Sequence, residues 1–456
     1  MARSAESPSR RRGRARGQGR ERTVEVVIEA LGAGGDGLAR FEGRPVHVPL
    51  TLPGDRVLIR LGGGSGGARH ALVDRWIARR PRATPACRHF GSCGGCRLQH
   101  LDSTAYRAWI LAQVERALER RGLVGVGVRP PLVTPPGSRR RLRFAYERRG
   151  GGPVRLGLRE AGTHRIVDLA DCPVARPAIV ALLGPLRGAL ADLAPDRPGE
   201  VLVTETLAGL DVLLIRPGAP GLAERERLAA LAEASDLARL SWAPAPGEVA
   251  EPLAARRPVR VAFGGLEVPL PPGAFLQATA EAETMIRDAV LEAIGEAGTV
   301  ADLFAGCGTF ALPLAASGRR VVAMDADAAM TRALASGAAA AGLAGRLEAR
   351  VRDLDRDPVR PEELRAIDAL VLDPPRAGAL AQARALADGA SGGGPDRIAM
   401  VSCHPPSFAR DARVLVDGGY RLDWVQPVDP FLWSAELEVV GGFARAGTAL
   451  PLGAEA

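Results

Sequence analysis

The sequence predicts an α/β protein in which a C-terminal parallel sheet follows a small β-barrel and an α+β central region. Three observations predict this class. Near the N-terminus, short β-branched runs are separated by glycine-rich turns. In the middle of the chain, strand-like runs alternate with Ala- and Leu-rich helical stretches. From about residue 299, apolar runs are each followed by a helical stretch, which is typical of a parallel sheet covered on both faces.

Length and composition place the chain among ordinary globular proteins. Its 456 residues are enough for two to four domains, and we expect three. Hydrophobic residues make up 46% and charged residues 25%, which excludes a fibre and a wholly disordered chain. No run of about eighteen apolar residues is free of charge or proline, and the N-terminus lacks the apolar stretch of a secretion signal. We therefore expect a cytoplasmic monomer without a membrane span.

The positive charge is concentrated at the start of the chain. All 60 basic residues are arginines, and the formal net charge is +8. Residues 1–20 hold seven arginines and one glutamate, which gives them a charge of +6. We expect 1–21 to be a disordered Arg-rich tail, because it has no apolar periodicity. Such a tail attracts phosphate backbones. A solvated leader and a mitochondrial transit peptide are the alternatives.

Residues 22–82 are predicted to form a small β-barrel. TVEVVIEAL, PVHVPL and DRVLIRL are β-branched runs, with glycine-rich turns between them. About five short strands in this segment fit a barrel of the OB type, which often binds oligonucleotides. A stable β module without a ligand is the alternative that composition leaves open.

Residues 83–265 are predicted to form an α+β central domain. A cysteine-rich loop at 87–96 precedes a helix that we expect to run from Asp102 to Arg121. Apolar side chains recur at helical spacing in it, namely Tyr106, Ile110, Val114 and Leu118.

The segment 138–149 combines arginines with Phe144 and Tyr146 on a predicted strand. The arginines are Arg139, Arg140, Arg141, Arg143, Arg148 and Arg149. This pattern is compatible with a nucleic-acid face that carries both kinds of side chain. A solvated edge strand is the alternative.

Residues 266–456 are predicted to carry the parallel sheet and its ligand site. Polar or reactive side chains lie at or near the ends of its strands, namely Asp302, Asp325, Asp373 and Cys403. Ligands of such sheets bind at the carboxyl ends of the strands, so we expect these side chains to share one site.

The first of these strand ends resembles a nucleotide-binding turn. Gly306 and Gly308 allow a ligand to approach the backbone, and Asp325 stands about 20 residues on, where a carboxylate accepts ribose hydroxyls. A further acid, Asp353, follows the short strand that comes after Asp325. The lack of a third glycine and of a GK[ST] sequence disfavours dinucleotides and triphosphates. The pattern therefore indicates S-adenosylmethionine.

Two further motifs suggest covalent chemistry. Cys403 follows the fifth strand and precedes two prolines, and a thiolate at that position is a candidate nucleophile. A small buried hydrophobic residue is the alternative. Glu436 and Glu438 are two residues apart, so that in a strand they share a face. One of them is a candidate general base, and a surface glutamate is the alternative.

With these motifs, the chain resembles the RNA 5-methyluridine methyltransferases. The resemblance spans nearly the whole chain after residue 21, and its successive motifs are FLQAT, DLFAGCGTF, DPPRAG, SCHPPSFARD and DPFLWSAELEVV. It implies a TRAM domain at 22–82, a central domain at 83–265 and a Rossmann-like class I S-adenosylmethionine methyltransferase domain at 266–456.

The resemblance also implies roles for individual residues. Cys403 matches the nucleophile, and Glu438, rather than Glu436, matches the base. Five residues match positions that contact S-adenosylmethionine or the target base, namely Gln277, Phe304, Asp325, Asp353 and Asp373. The family often has Glu where Asp325 stands and Asn where Asp353 stands, and the second departure leaves the contact of Asp353 open. Cys307 matches no functional position and is expected to pack in the core.

Four cysteines resemble the ligands of the family's 4Fe–4S cluster, namely Cys87, Cys93, Cys96 and Cys172. Thiolates are the usual ligands of such clusters, and zinc is the alternative that four cysteines also suit. With four protein ligands, the cluster is expected to be structural or to position RNA rather than to catalyse redox chemistry.

The resemblance implies methylation of carbon 5 of a uridine, which must be flipped out of any stack. The 23S ribosomal RNA is the expected substrate, because the tRNA-specific branch typically lacks the TRAM domain and the cluster. A tRNA uridine-5 methyltransferase remains an alternative. An RNA cytosine-5 methyltransferase is another alternative, although such enzymes usually carry a second cysteine beside their Asp-Pro-Pro loop, where this chain has Arg376. A non-catalytic RNA-binding protein or chaperone is the alternative from another class.

Overall fold

The computed structural model describes residues 22–61, 69–148, 150–193, 198–389 and 394–445. The predicted tail at 1–21 and Arg149 lie outside the described residues. Contacts divide the chain into two compact units, Met1–Pro81 and Arg82–Ala456. The further division of the second unit near residue 265 stays a prediction.

The described part of the first unit is a sheet of six strands rather than the predicted five. The strands are β1 (Arg22–Val27), β2 (Ala30–Leu31), β3 (Gly37–Phe41), β4 (Arg44–Val48), β5 (Arg56–Leu61) and β6 (Arg69–Ala78). They lie in the order β1-β5-β6-β4-β3-β2. Val46, Val57 and Ile59 are fully buried and belong to one apolar core. Gly37 is required at its position, because a Cβ there would lie 2.0 Å from Thr51 Oγ1.

The second unit contains two large sheets and their helices. Its first elements are α1 (Ser103–Glu119), β7 (Gly127–Val128), β8 (Leu132–Val133), β9 (Arg141–Glu147), β10 (Arg155–Arg159), β11 (Ile166–Asp168), α2 (Pro177–Asp192), β12 (Gly199–Thr206), β13 (Gly209–Ile215), α3 (Leu222–Ala234), β14 (Arg239–Ala243) and β15 (Glu251–Ala255). They are followed by β16 (Arg260–Phe263), β17 (Leu266–Pro269), α4 (Ala280–Ile294), β18 (Thr299–Leu303), α5 (Ala311–Ala316), β19 (Arg320–Asp325), α6 (Ala328–Ala340), β20 (Leu347–Val351), β21 (Ala369–Leu372), α7 (Leu380–Gly389), β22 (Arg397–Ser402), α8 (Pro405–Asp417), β23 (Tyr420–Asp429) and β24 (Glu438–Arg445).

The predicted helix that follows the cysteine-rich loop is present as α1. Asp102 caps it, since its carboxylate accepts a hydrogen bond from the Ala105 amide at 2.8 Å. The four apolar side chains that predicted the helix are all buried, namely Tyr106, Ile110, Val114 and Leu118. The helix therefore packs with the face that its periodicity indicates.

The central sheet has the order β11-β10-β9-β12-β13-β14-β15. Strand β9 lies inside it, so the expectation of a solvated edge strand is wrong. Phe144 and Tyr146 are buried, whereas Arg143 is exposed. Because side chains alternate between the faces of a strand, the arginines and the aromatic rings point to opposite sides. The expectation that both share a nucleic-acid face is therefore also wrong.

The C-terminal sheet is the predicted parallel one, which confirms the fold class. Its order is β20-β19-β18-β21-β22-β24-β23-β7, and β8 also pairs with β23. The pairs among β18 to β22 are parallel, whereas β24 runs antiparallel to both β22 and β23. The edge strands β7 and β8 come from 127–133, which the sequence assigned to the central domain. Within the described residues, no helix has the length and apolar character needed to cross a membrane.

Candidate active site

A cavity of about 550 Å³ is lined by the loops at the carboxyl ends of the parallel strands. All seven residues that the sequence assigned to catalysis and cofactor binding line this one cavity, namely Gln277, Phe304, Asp325, Asp353, Asp373, Cys403 and Glu438. They come from seven separate segments of the chain. The order of the sheet therefore brings together residues that are far apart in sequence.

One end of the cavity is formed by the glycine-rich turn after β18. Phe304 has a φ of 64°, a left-handed conformation that is costly for a residue with a side chain. A Cβ on Gly308 would lie 2.3 Å from Leu334 Cδ1, whereas a Cβ on Gly306 would have no atom within 4 Å. Gly308 therefore allows close packing against α6, and Gly306 leaves open space beside the backbone.

Asp325 is fixed by backbone amides at the end of β19. Its Oδ2 accepts a hydrogen bond from Gly306 at 2.9 Å, and its Oδ1 accepts one from Asp327 at 2.8 Å. Asp353 is held more loosely and is about half exposed, with longer bonds of 3.2 and 3.3 Å from the amides of Asp355 and Arg356. The two acids therefore offer a ligand very different degrees of preorganisation.

Asp373 lines the cavity, and the fully buried Asp302 lies near it without lining the cavity. Burial, together with the nearby Asp325, raises the pKa of Asp373 to about 7. Burial also raises the pKa of Asp302 well above its usual range, with a contribution from Asp373. These acids are close enough to oppose one another's ionisation, so a positively charged ligand in the cavity would be stabilised by them.

Cys403 lies between the end of β22 and the first turn of α8, as predicted. Burial raises the pKa of its thiol to about 11, with Glu438 and Asp373 raising it further and Arg376 lowering it. The thiol is therefore protonated near neutral pH in the free protein. A helix N-terminus and a nearby cation both favour a thiolate, so added positive charge in the cavity would lower the pKa of this thiol.

Glu438 and Glu436 have different environments. Glu438 is the first residue of β24 and is 4% exposed, and its Oε2 makes no hydrogen bond with any described residue. Burial raises the pKa of Glu438 well above its usual range, and Asp373 and Glu436 raise it further. Glu436 precedes the strand, is exposed and pairs with Arg376. The expectation that the two glutamates share a strand face is therefore wrong, because the strand begins only at Glu438.

Comparison with known proteins identifies the family. A TRAM domain model matches residues 19–61. The chain is 41% identical to an uncharacterized RNA methyltransferase of Brucella suis biovar 1, over 92% of this chain and 97% of that protein. It is 37% identical to the 23S rRNA (uracil(1939)-C(5))-methyltransferase RlmD of Halomonas elongata, over 93% of this chain and 90% of the relative.

This chain belongs to the RNA 5-methyluridine methyltransferase family. Its fold agrees with the crystal structure of the Pyrococcus abyssi tRNA (uracil-54, C5)-methyltransferase in complex with S-adenosyl-L-homocysteine. That match has a TM-score of 0.70 and 22% identity, and it covers 92% of this chain and 100% of the other. The predicted Rossmann-like methyltransferase fold with an N-terminal TRAM domain is thereby confirmed, and the protein is an RNA methyltransferase.

Sequence reasoning missed part of the cavity wall of this methyltransferase. Arg139 and Arg141 line the cavity, each over an aromatic ring of the same wall. The Arg139 guanidinium lies 4.9 Å from the centre of Phe431, and that of Arg141 lies 5.9 Å from the centre of Phe275. Burial lowers the pKa of Arg141 to about 10, with a further contribution from Arg143. The arginine run was noticed in the sequence, but only the sheet shows which arginines face the cavity.

The cysteine set of this methyltransferase lies in the same unit. Burial raises the pKa of the Cys93 and Cys172 thiols, and it raises that of Cys96 to about 12. Cys87 opposes the ionisation of all three, so the four thiols lie within electrostatic range of one another. Within the described ranges, no group of three or more His, Cys, Asp or Glu side chains is placed to hold a metal ion. Cys307 is buried in the apolar core, as expected.

Proposed function

We propose that this protein methylates carbon 5 of a uridine in RNA, with S-adenosylmethionine as the methyl donor and Cys403 and Glu438 as the catalytic residues. The observation that carries the proposal is the single cavity that both residues line together with the glycine-rich turn after β18. This reaction requires a nucleophile, a base and a nucleoside-binding loop that line one shared site.

The residues proposed to hold the methyl donor are Gln277, Phe304, Asp325, Asp353 and Asp373. Asp325 is oriented by two backbone amides and can accept hydrogen bonds from ribose hydroxyls. S-adenosylmethionine supplies an electrophilic methyl group on a positively charged sulfonium. Asp373 matches that charge, because burial and Asp325 raise its pKa in the free protein and a cation beside it would favour the ionised carboxylate.

Cys403 is proposed to add through its sulfur to carbon 6 of the uracil. Carbon 5 of a free uracil is a poor nucleophile, and the addition places an electron pair there. This pair forms the new bond to the methyl carbon while the sulfonium–methyl bond breaks and leaves its electrons on the departing sulfur. The thiol must first lose its proton. The cationic Arg376 favours that loss, and Glu438 and Asp373 oppose it. Occupation of the cavity by a cationic donor shifts the same balance towards the thiolate.

Glu438 is proposed to complete the reaction by removing the proton from carbon 5. The electron pair of that C–H bond then forms the double bond between carbons 5 and 6, and the Cys403 sulfur leaves with its electrons. Burial raises the pKa of Glu438, so its carboxylate, once ionised, is a stronger proton acceptor than that of an exposed glutamate. Its unbonded Oε2 is free to receive the proton. Glu436 is exposed and already paired, so it is not assigned this step.

The target uridine is proposed to enter the cavity from a flipped-out position in RNA. Phe275 is 55% exposed beside the cavity, so its ring is available for stacking on a base. The guanidinium of Arg141 lies beside this ring, and arginine is well suited to phosphate oxygens. We assign the RNA to the 23S ribosomal type, as in the named relative from Halomonas elongata, which is similar over most of both chains.

The cysteine set is proposed to bind a 4Fe–4S cluster. Cys87, Cys93, Cys96 and Cys172 suit such a group chemically, because crowded thiolates repel one another unless a cationic group compensates their charge. Bound thiolates would hold the 87–96 loop to the segment that follows β11. That loop continues into Arg97 and Leu98, whose amides donate hydrogen bonds to Trp433 at 2.8 and 3.0 Å. The proposed role is therefore structural support of the loop that precedes Glu438.

Deletion of the gene tests the substrate assignment. Mass spectrometry of purified 23S rRNA and tRNA should show the loss of one 5-methyluridine from the rRNA and none from the tRNA. Loss from tRNA alone would instead identify a tRNA enzyme. A 5-fluorouridine RNA should form a covalent complex with the wild-type protein, because fluorine at carbon 5 cannot be removed as a proton. Absence of any complex with this RNA would contradict the Cys403 mechanism.

Anaerobic purification tests the cluster. We expect about four iron and four sulfide ions per chain, with the brown absorption of a 4Fe–4S cluster. Stoichiometric zinc without iron would reject this part of the proposal and leave the methylation chemistry untouched.

A further inference from the structure

An ion pair joins two loops that flank the nucleophile. Arg376 follows β21 in the Asp-Pro-Pro-Arg motif, and Glu436 lies between β23 and β24. Their side chains form a salt bridge in which both are about half exposed. Arg376 also lines the cavity with Cys403. The guanidinium is thus ion-paired with an acid and lines the same cavity as the thiol.

The loop of Arg376 is fixed by contacts that do not involve Glu436. The Arg376 carbonyl accepts a hydrogen bond from Ser407 Oγ at 3.1 Å. Arg410 donates to the carbonyl of Ala377 at 2.8 Å, and Asp411 accepts from an amide of the same loop at 2.8 Å. All three partners lie on α8, the helix that begins two residues after Cys403. The loop is therefore positioned relative to the thiol by its own helix.

The loop of Glu436 is likewise held from another direction. Tyr106 of α1 donates a hydrogen bond to Asp429 Oδ2 at 2.7 Å and accepts one from the Trp433 amide at 2.8 Å. Asp429 Oδ1 accepts a further bond from the Phe431 amide at 3.0 Å. Because each loop has its own anchors, the salt bridge is not needed to hold either of them.

The charges that act directly on the Cys403 thiol come from three groups. Glu438 at the start of β24 and Asp373 after β21 disfavour the thiolate, and Arg376 is the cation that favours it. The influence of Arg376 is opposed by its own partner, because an ion-paired guanidinium presents less net charge to a neighbour.

The remaining charged groups face the ion pair from α8. His404 interacts electrostatically with Arg376, Glu436 and Arg410. Burial lowers the pKa of His404, so its ring is neutral near pH 7 and adds no second cation. Arg410 is paired with Asp411 at 2.7 Å. Glu436 and the Cys403 thiol are therefore the two groups that compete for interaction with Arg376.

We infer that Arg376 is a positioning residue that stabilises the thiolate of Cys403 and that Glu436 restrains this effect by pairing with the guanidinium. The inference rests on the proposed role of Cys403 as the nucleophile and goes further by identifying how its reactivity is set. In this arrangement the free protein keeps the cysteine largely as a thiol, and any ligand that draws Glu436 away raises its nucleophilicity.

The test is the rate at which iodoacetamide alkylates Cys403 in the full-length protein between pH 7 and 10. Mass spectrometry of the peptide that contains Cys403 separates this rate from those of the other cysteines. Arg376→Met should slow alkylation at pH 8 by about three- to tenfold, which corresponds to a rise of up to about one unit in the thiol pKa. Glu436→Gln should accelerate it by a similar factor.

The opposite signs are the decisive feature, because both substitutions break the same salt bridge. A merely structural bridge would change the alkylation rate in the same direction in both variants, and that result would overturn the inference. Arg376→Lys should keep a rate within about twofold of wild type, since it retains the positive charge. The double variant should behave as Arg376→Met does, because Glu436 acts through Arg376.

Arg413→Met is the matched control, since Arg413 pairs with Asp417 on the same helix and its alkylation rate should equal that of wild type. Unchanged rates in both Arg376→Met and Glu436→Gln would also reject the inference. Alkylation requires no RNA, so this failure differs from failure of the proposed function. The proposed function fails if Cys403→Ala retains methylation or if no covalent complex forms with 5-fluorouridine RNA.

Discussion

The two ends of the cavity are constructed in different ways. At the end near β18, Asp325 is held by two backbone amides at 2.8 and 2.9 Å. At the other end, Cys403 is protonated and Glu438 keeps an oxygen without a hydrogen bond to any described residue. The first end is preorganised to bind, and the second is left electrostatically unsatisfied and therefore reactive.

This difference indicates where substitutions should affect chemistry and where they should affect affinity. Groups at the unsatisfied end change state during the proposed reaction, so their loss should abolish turnover. Groups at the preorganised end only hold a ligand, so their loss should weaken binding in proportion to the hydrogen bonds removed.

The largest effect is expected at the nucleophile. Cys403→Ala should lower methylation by at least about a thousandfold, because no other described thiol lines the cavity, and it should leave S-adenosylmethionine affinity within about twofold. Radiolabelled methyl transfer and calorimetry measure the two quantities. Cys307→Ala is the matched control, since Cys307 is 2% exposed in the core, and its loss should lower stability rather than abolish chemistry. Turnover of Cys403→Ala at the wild-type rate would remove the covalent mechanism.

The next effect separates the two glutamates. Glu438→Gln keeps the shape of the side chain but cannot accept the carbon-5 proton, so methyl transfer can occur while release fails. We expect a covalent protein–RNA species to accumulate on unmodified RNA, visible as a shifted band on a denaturing gel. Glu436→Gln should not accumulate it, because Glu436 lies outside the cavity wall. Accumulation with Glu436→Gln alone would reverse the assignment of the base.

The same contrast decides how much the sequence could predict. The parallel sheet, the turn at Gly306 and the positions of Asp325 and Cys403 follow from local patterns, since each is coded by a strand and the residues just after it. The placement of Arg139 beside Phe431 joins segments almost 300 residues apart, and no local pattern encodes it.

The different roles of Glu436 and Glu438 depended on where β24 begins. The hydrogen bond from Tyr106 to Asp429 holds the start of the loop between β23 and β24, and β24 begins only at Glu438. The alternation of side chains along a strand therefore does not apply to Glu436, which lies two residues before β24 begins. The prediction that the arginines and aromatic residues of β9 share a face was wrong for a related reason. The alternation indicates two faces of the strand but does not show which of them is buried.

A smaller effect is expected at the preorganised end. Asp325→Asn should weaken S-adenosylmethionine binding by about ten- to a hundredfold, because a charged and fixed acceptor is worth roughly 1.5–3 kcal/mol. Asp353→Asn should change the affinity by less than about threefold, since Asp353 is half exposed and loosely held. Calorimetry on both variants gives the comparison. Equal losses would show that preorganisation does not distinguish the two acids.

The smallest predicted effect is a pH dependence that links the two ends through Asp373. This carboxyl has a pKa of about 7, raised by burial and then by Asp325, so it takes up protons in the folded state that it would not bind when unfolded. The contribution to stability is therefore greatest below about pH 4 and declines as pH rises towards 7. A cationic ligand binds the ionised carboxylate more tightly. Its affinity should therefore rise over the same pH range in which the stability contribution of Asp373 declines.

We accordingly expect S-adenosylmethionine to bind about three- to tenfold more tightly at pH 8 than at pH 6. Asp373→Asn should remove this dependence, because the amide does not titrate. Asp302→Asn is the matched control. Asp302 is buried and its pKa is raised well above its usual range, but its side chain does not line the cavity. A pH dependence that persisted in Asp373→Asn and vanished in Asp302→Asn would transfer the titration to the deeper acid. It would also mean that the charge felt by the ligand originates behind the cavity wall rather than on it.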